Sequence, residues 1–189
     1  MNKYVQAIVI GVVAGIAGGF LIKAFVFPDG FAAYGYGVGI AIFTAYILSN
    51  LAGNKSVAAA GAAEREAALQ MRPPPGKAFL IPYREGFVAK LAGMNLSLDG
   101  RVFVQLTAPK FTCLTIEPGR HVLSAVFGGL AGPQSKAATV EFDAPDGSVT
   151  VVRISANMGV LQGAIKLTRE DDLAAAKLKL ARMPMASAG

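Results

Sequence analysis

The chain has 189 residues with 18 Lys and Arg against 12 Asp and Glu, a formal charge of +6, and only 16% charged residues against 53% hydrophobic ones. That is below the roughly 25% charged of an ordinary soluble domain. The single cysteine, Cys113, excludes an intramolecular disulfide, and the single histidine, His121, excludes a multi-histidine metal site.

The charge deficit is local. Residues 5–52 carry only Lys23 and Asp29, whereas residues 77–189 carry 13 Lys and Arg and 9 Asp and Glu. Val5 to Phe27 contains Gln6 and Lys23 as its strongly polar members, and Phe31 to Leu51 contains no charge. About 20 apolar residues suffice to cross a ~30 Å hydrocarbon core. The pattern therefore predicts a transmembrane helical hairpin over residues 1–52, with spans at about 5–27 and 31–51. Pro28-Asp29-Gly30 turns it, since proline stops a helix and glycine permits a tight turn. Two core helices of a soluble protein would need more covering chain than the remainder offers. A signal peptide would have a shorter apolar run, more than Lys3 ahead of it, and no second span directly behind.

Lys3 and the α-amino group precede the hairpin, and Lys55, Arg65 and Arg72 follow it, which predicts that both termini are cytoplasmic and the turn lies outside. Small residues recur four apart: Gly11, Gly15 and Gly19 in the first helix, Gly35 and Gly39 in the second, with Ala33, Gly37, Ala41 and Ala45 in step. Such spacing lets backbones approach closely, either within the hairpin or between copies. Neither helix carries a polar row, which argues against ion conduction. The expected partners are the lipid bilayer and either another protein or a second copy through the hairpin.

Residues 53–76 read as a tether: an Ala-rich helical stalk over 57–71, closed by Pro73-Pro74-Pro75 as a stiff spacer. From residue 77 to 167 the period becomes two. Strands are expected at 77–83, on both sides of Asp99-Gly100 within 95–106, on both sides of Pro118-Gly119 within 111–127, around Pro145-Asp146-Gly147 within 138–155, and at 159–167. Short strands with turns about every ten residues predict an antiparallel β-sandwich, immunoglobulin-like in plan. Residues 168–189 read as a C-terminal α-helix and tail. Thr168 and Asp171 open the helix, and Lys177, Lys179 and Arg182 lie towards its negative end.

Three pieces of this domain carry a resemblance: Leu98-Asp99-Gly100, the turn Glu117-Pro118-Gly119-Arg120-His121-Val122-Leu123, and the stretch from Gly159 through Leu167 followed by acids. Over about residues 77–175 they resemble a bacterial β-sandwich domain family of uncharacterised function, lipoprotein-borne or membrane-anchored, with a Pro-Gly-x-His turn like that of PEGA modules. The resemblance implies a small sandwich for which Asp99, Gly100, Pro118, Gly119 and His121 mark the fold. The chain departs from that pattern in having a two-span anchor instead of a lipidated cysteine, and in the cytoplasmic side its charges predict.

No grouping supports catalysis. On a strand, His121 and Ser124 point to opposite faces, so a nucleophile–base pair is not expected, and the imidazole is expected to close its own turn on a backbone carbonyl. Cys113 reads as an inert thiol. Glu141, Asp143 and Asp146 are explained by turn chemistry, and Glu170-Asp171-Asp172 by a helix start. No catalytic, cofactor-binding or metal-binding residue is therefore expected, and the scattered positive charge gives no nucleic-acid footprint. The expected function is a non-enzymatic accessory subunit or interaction module of the bacterial inner membrane. Two alternatives stand beside it. One is a small-ligand, lipid or glycan binder using Phe79, Tyr83, Phe87, Phe103, Phe111 and Phe127. The other is a homo-oligomeric glycine-zipper assembly.

Overall fold

The computed structural model describes residues 2–26, 32–129, 136–157 and 164–188. The Pro28-Asp29-Gly30 turn and the start of the 159–167 strand lie outside the described residues. The chain forms two compact units, Met1–Asn54 and Lys55–Gly189.

The first unit is a helix pair, α1 (Lys3–Phe25) and α2 (Ala32–Ala52). Asn2 caps α1 by accepting the Tyr4 N–H at 3.1 Å. Among the described residues, α1 alone is long and apolar enough to cross a membrane, while the described apolar stretch of α2 is the shorter Ala33–Ser49.

The second unit holds α3 (Ala62–Gln70), then β1 (Ala78–Arg84), β2 (Met94–Leu98), β3 (Arg101–Leu106), β4 (Lys110–Phe111), β5 (Leu114–Ile116), β6 (Gly119–Phe127), β7 (Ala138–Ala144), β8 (Val149–Asn157), β9 (Ala164–Glu170) and α4 (Leu173–Leu180). One sheet has the order β4-β1-β8-β9, with β5 also on β1; the other has the order β3-β2-β6-β7. Leu80, Val152 and Ile154 from the first sheet meet Met94, Leu96, Leu106, Leu123, Phe127 and Phe142 from the second in one core.

Three expectations about this domain are corrected. The sandwich is mixed, because β1 and β8 run parallel, Phe79 opposite Val149 through Arg84 opposite Ile154. Strands so far apart in the chain are free of the hairpin constraint that makes neighbours antiparallel. Pro118-Gly119 and Pro145-Asp146-Gly147 are also not hairpin turns: β5 and β6 lie in different sheets, as do β7 and β8, so both segments cross between layers. The helix start moves as well. Thr168 and Glu170 belong to β9, and Asp172 is the cap, accepting the Ala175 N–H at 2.9 Å.

From Lys55 on, the stretch expected as a tether is part of the domain. Ala68, with Leu69 and Met71 beside it, packs on Phe79, Ile81, Tyr83 and Val151 of the first sheet's outer face, together with Ala176, Leu180 and Met185. The Arg65 guanidinium donates to the Ala181 carbonyl at 2.6 Å, and Ala59 bridges to Ala186. This second core explains why all seven residues of β1 are buried. Its side chains alternate between two apolar layers rather than between core and water. Pro82 is tolerated in this central strand because it falls between the β5 and β4 pairings of β1, where its carbonyl accepts the Thr112 N–H at 3.1 Å.

Candidate functional site

The helix pair is built around missing side chains. A methyl group placed on Gly11 would stand 2.7 Å from the Ala45 Cβ and 2.8 Å from the Ala41 carbonyl oxygen. One on Gly15 would collide with Ala41 and lie 2.6 Å from the Gly37 carbonyl oxygen, and one on Gly19 would lie 3.3 Å from the Gly37 Cα. Partners descend from 45 to 41 to 37 as α1 ascends from 11 to 15 to 19, so the helices are antiparallel and in contact at every turn. Ala7 and Ala33 are buried in the same unit, at 3% and 1% exposure. Among the expected packing residues, Gly11, Gly15 and Gly19 lie in this seam. Gly35 and Gly39 do not, because a methyl on either meets nothing within 4 Å. The second helix instead contributes Gly37, Ala41 and Ala45, one helical face away. Lys23 Nζ donates to the Tyr34 hydroxyl at 3.1 Å and lies 5.2 Å from that ring's centre.

In the β domain Asp99, Gly100, Pro118, Gly119 and His121 lie in two neighbouring turns. Asp99 and Gly100 take φ of 50° and 82°, the pair of positive values that a two-residue hairpin between β2 and β3 requires. Asp99 is then placed beside β6 by the β2–β6 register, in which Leu98 opposes Leu123. Its Oδ1 accepts the Val122 N–H at 2.8 Å, and its Oδ2 accepts from His121 Nδ1 at 2.7 Å. The other ring nitrogen, Nε2, donates to the Glu117 carbonyl at 2.9 Å, across Pro118-Gly119. The imidazole therefore closes its own turn and a second one together, with its ring 5.8 Å from that of Phe142.

Both partners of the ring are acceptors, so the doubly protonated imidazolium satisfies both. Burial pulls the His121 pKa down, but the bonds to Asp99 and the Glu117 carbonyl outweigh it and leave it raised. Asp99 is held below the usual carboxylate range by the His121 bond first and the Val122 N–H second. Ser124 is no partner: His121 shares its face of β6 with Leu123, Ala125 and Phe127, and Ser124 faces the other way.

Several other polar groups are engaged within the domain. Tyr83 donates to Glu170 at 2.7 Å, and burial followed by that bond pushes its pKa upward. Arg153 reaches Glu170 at 3.3 Å and Glu85 at 3.5 Å. Glu141 pairs with Arg120 at 2.6 Å. Cys113 is pushed up to about 12, by burial first and by the nearby Glu64 charge second. Its thiol stays protonated at neutral pH.

Sequence reasoning missed Arg84, which is 1% exposed, with burial lowering its pKa to about 10. It donates to the Leu106 carbonyl at 2.8 Å, to that of Ala89 at 2.6 Å, and to that of Ala92. The signal available was a cation closing the apolar strand run "FLIPYR".

Of the aromatic residues considered for ligand binding, Phe79, Tyr83, Phe111 and Phe127 are buried in the two cores and Phe103 packs against the first. Phe87 alone among them is open, at 88% exposure. No protein-family model matches the chain, and no curated protein matches it.

Proposed function

We propose that this chain is a non-enzymatic, membrane-anchored protein of the bacterial inner membrane, whose β domain serves as an accessory subunit or protein-interaction module of a membrane complex. One observation carries the reading: the helix pair turns its large apolar side chains outward. On α1, Ile16, Phe20 and Phe25 are 58%, 72% and 82% exposed, and on α2, Ile42 and Phe43 are 66% and 67% exposed. Water penalises such surface by about 25 cal/mol per Å², whereas lipid does not. The antiparallel seam supports two spans, because α2 tracks α1 turn by turn. The flanking cations support cytoplasmic termini.

The non-enzymatic part rests on the state of the reactive groups. Both His121 nitrogens are engaged, the Cys113 thiol is protonated, and the Tyr83 hydroxyl is committed to Glu170. Extraction of native membranes in mild detergent, followed by mass measurement of the intact assembly, tests the proposal. A complex containing a different protein, with this chain at full mass, is the expected result. A homo-oligomer alone would replace the accessory role with self-assembly, for which the open Gly35–Gly39 face is available. A mass lacking α1 would mean that α1 is a cleaved signal sequence.

A further inference from the structure

The loop between β1 and β2 presents apolar side chains from a backbone that is firmly held. Phe87 is 88% and Leu91 65% exposed. Yet the Lys90 N–H donates to the Phe87 carbonyl at 3.2 Å, the Ala92 N–H to Ala89 at 3.0 Å, and the Ala108 N–H to Lys90 at 3.1 Å. From beneath, the buried Arg84 guanidinium holds the carbonyls of Ala89 and Ala92. The exposure of these side chains therefore belongs to the fold and is not slack at a loop tip.

The chain also enters the domain at this pole. The Lys55 N–H donates to Gln105 Oε1 at 2.6 Å, and Gln105 Nε2 and the Gly93 carbonyl oxygen both lie against Gly128. Only Gly53 and Asn54 separate Lys55 from the end of α2 at Ala52. Residues 86–93 carry one cation, Lys90, and no acid, while the adjacent Glu85 is engaged by Arg153 at 3.5 Å.

We infer that this loop is a second membrane contact, with Phe87 and Leu91 entering the bilayer interface while Lys90 meets anionic headgroups. The inference rests on the reading of the helix pair as a membrane anchor. An aromatic ring and a leucine flanking a lysine suit the chemistry of a lipid interface, where apolar groups bury and cations meet phosphate. By chain length alone, two intervening residues can part Lys55 from the end of α2 by no more than about 10 Å.

The chain has no tryptophan, so a single introduced one reports its own position. The full chain is reconstituted into vesicles of phosphatidylcholine and phosphatidylglycerol, with and without lipids brominated near the headgroup. Three variants are compared: Phe87→Trp; Phe20→Trp in the anchor; and Leu178→Trp on α4, a site 69% exposed. Quenching and blue-shifted emission for Phe87→Trp, with neither for Leu178→Trp, is the expected result. Quenching of Phe20→Trp but not of Phe87→Trp overturns the loop contact and leaves the anchor standing. A blue shift at position 87 without quenching also overturns it, in favour of a protein contact. Equal quenching at 87 and 178 removes the loop's distinct role, and quenching at none of the three overturns anchor and loop together.

Discussion

The helix pair and the β domain solve opposite packing problems with similarly apolar residues. In the pair, the smallest side chains face inward and the largest face out. Backbones come close at Gly11, Gly15, Gly19 and Gly37, and the buried apolar residues described there, such as Ala7 and Ala33, are small. In the domain, large side chains fill two layers, and strand backbones stay at sheet spacing. The difference is the one that water and, on the proposed reading, lipid would reward. Water drives bulky apolar groups together. Lipid offers no such drive, so close backbone approach and dispersion must hold helices in contact.

Substitutions that exchange the two logics should have effects of graded size. The largest is expected at Arg84, the one buried cation among the described residues. Arg84→Ala removes the donor to the carbonyls of Leu106, Ala89 and Ala92 and opens a cavity, a loss of about 3–5 kcal/mol in the stability of the domain. Chemical denaturation of the full chain in detergent, followed by circular dichroism of the β signal, measures it. A change below about 1 kcal/mol would show that water replaces the guanidinium at little cost.

Next comes the seam. Gly15→Leu forces a side chain into Ala41 and the Gly37 carbonyl, and overpacking of this kind costs about 1–3 kcal/mol. The helix pair should lose its compact migration in mild detergent, while the β domain unfolds as before.

His121→Ala should cost the domain on the order of 1 kcal/mol, the net worth of a turn hydrogen bond. Its pH dependence is the sharper readout. The raised His121 pKa gives stability that is present below the ordinary value of 6.5 and lost as pH rises through the folded value above it. The depressed Asp99 pKa gives stability that is present above the ordinary 3.8 and lost as pH falls through the folded value below it. The contribution of the pair is therefore greatest between about pH 4 and 6.5. The difference in stability between the native chain and His121→Ala should shrink on either side of that window. A difference that does not change with pH would mean that the ring acts by packing on Phe142 alone. An activity abolished by this variant at unchanged melting temperature would make His121 a catalytic residue.

The smallest effect is expected at Gly35 and Gly39. A Cβ at either position meets nothing within 4 Å, so with alanine there the helix pair should keep its stability within about 0.5 kcal/mol. Any loss in these variants of an assembly that the native chain forms would report a contact between copies or with a partner.

The helix pair and most of the strand positions were legible because they are written in local periodicity and in turn residues such as Asp99-Gly100. What was not legible depends on contacts between segments far apart in the chain. Strands 138–144 and 149–157 look like a hairpin around Pro145-Asp146-Gly147, and nothing local shows that they enter different sheets. The Ala-rich stretch before the prolines looks like a spacer because Ala68 and Leu69 form a narrow apolar face, recognisable only against the outer side of β1. The seam glycines were legible as a set, but their phase was not. Gly35 and Gly37 are equally small, and only the rotation of α2 against α1 selects Gly37. The His121–Asp99 bond likewise follows from a register between β2 and β6, which no motif encodes.

Residues 55–189 are expected to form a domain that needs neither lipid nor the helix pair to fold, with residues 55–75 as one of its walls. Thermal unfolding of two fragments in detergent-free buffer, 55–189 and 76–189, tests this most directly. The 55–189 fragment should be monomeric with a single cooperative transition, and that outcome fits two buried apolar layers. The 76–189 fragment, with the Phe79, Ile81 and Val151 face stripped of α3, should be markedly less stable or aggregated. Aggregation of the longer fragment, or equal stability of the two, would contradict this expectation.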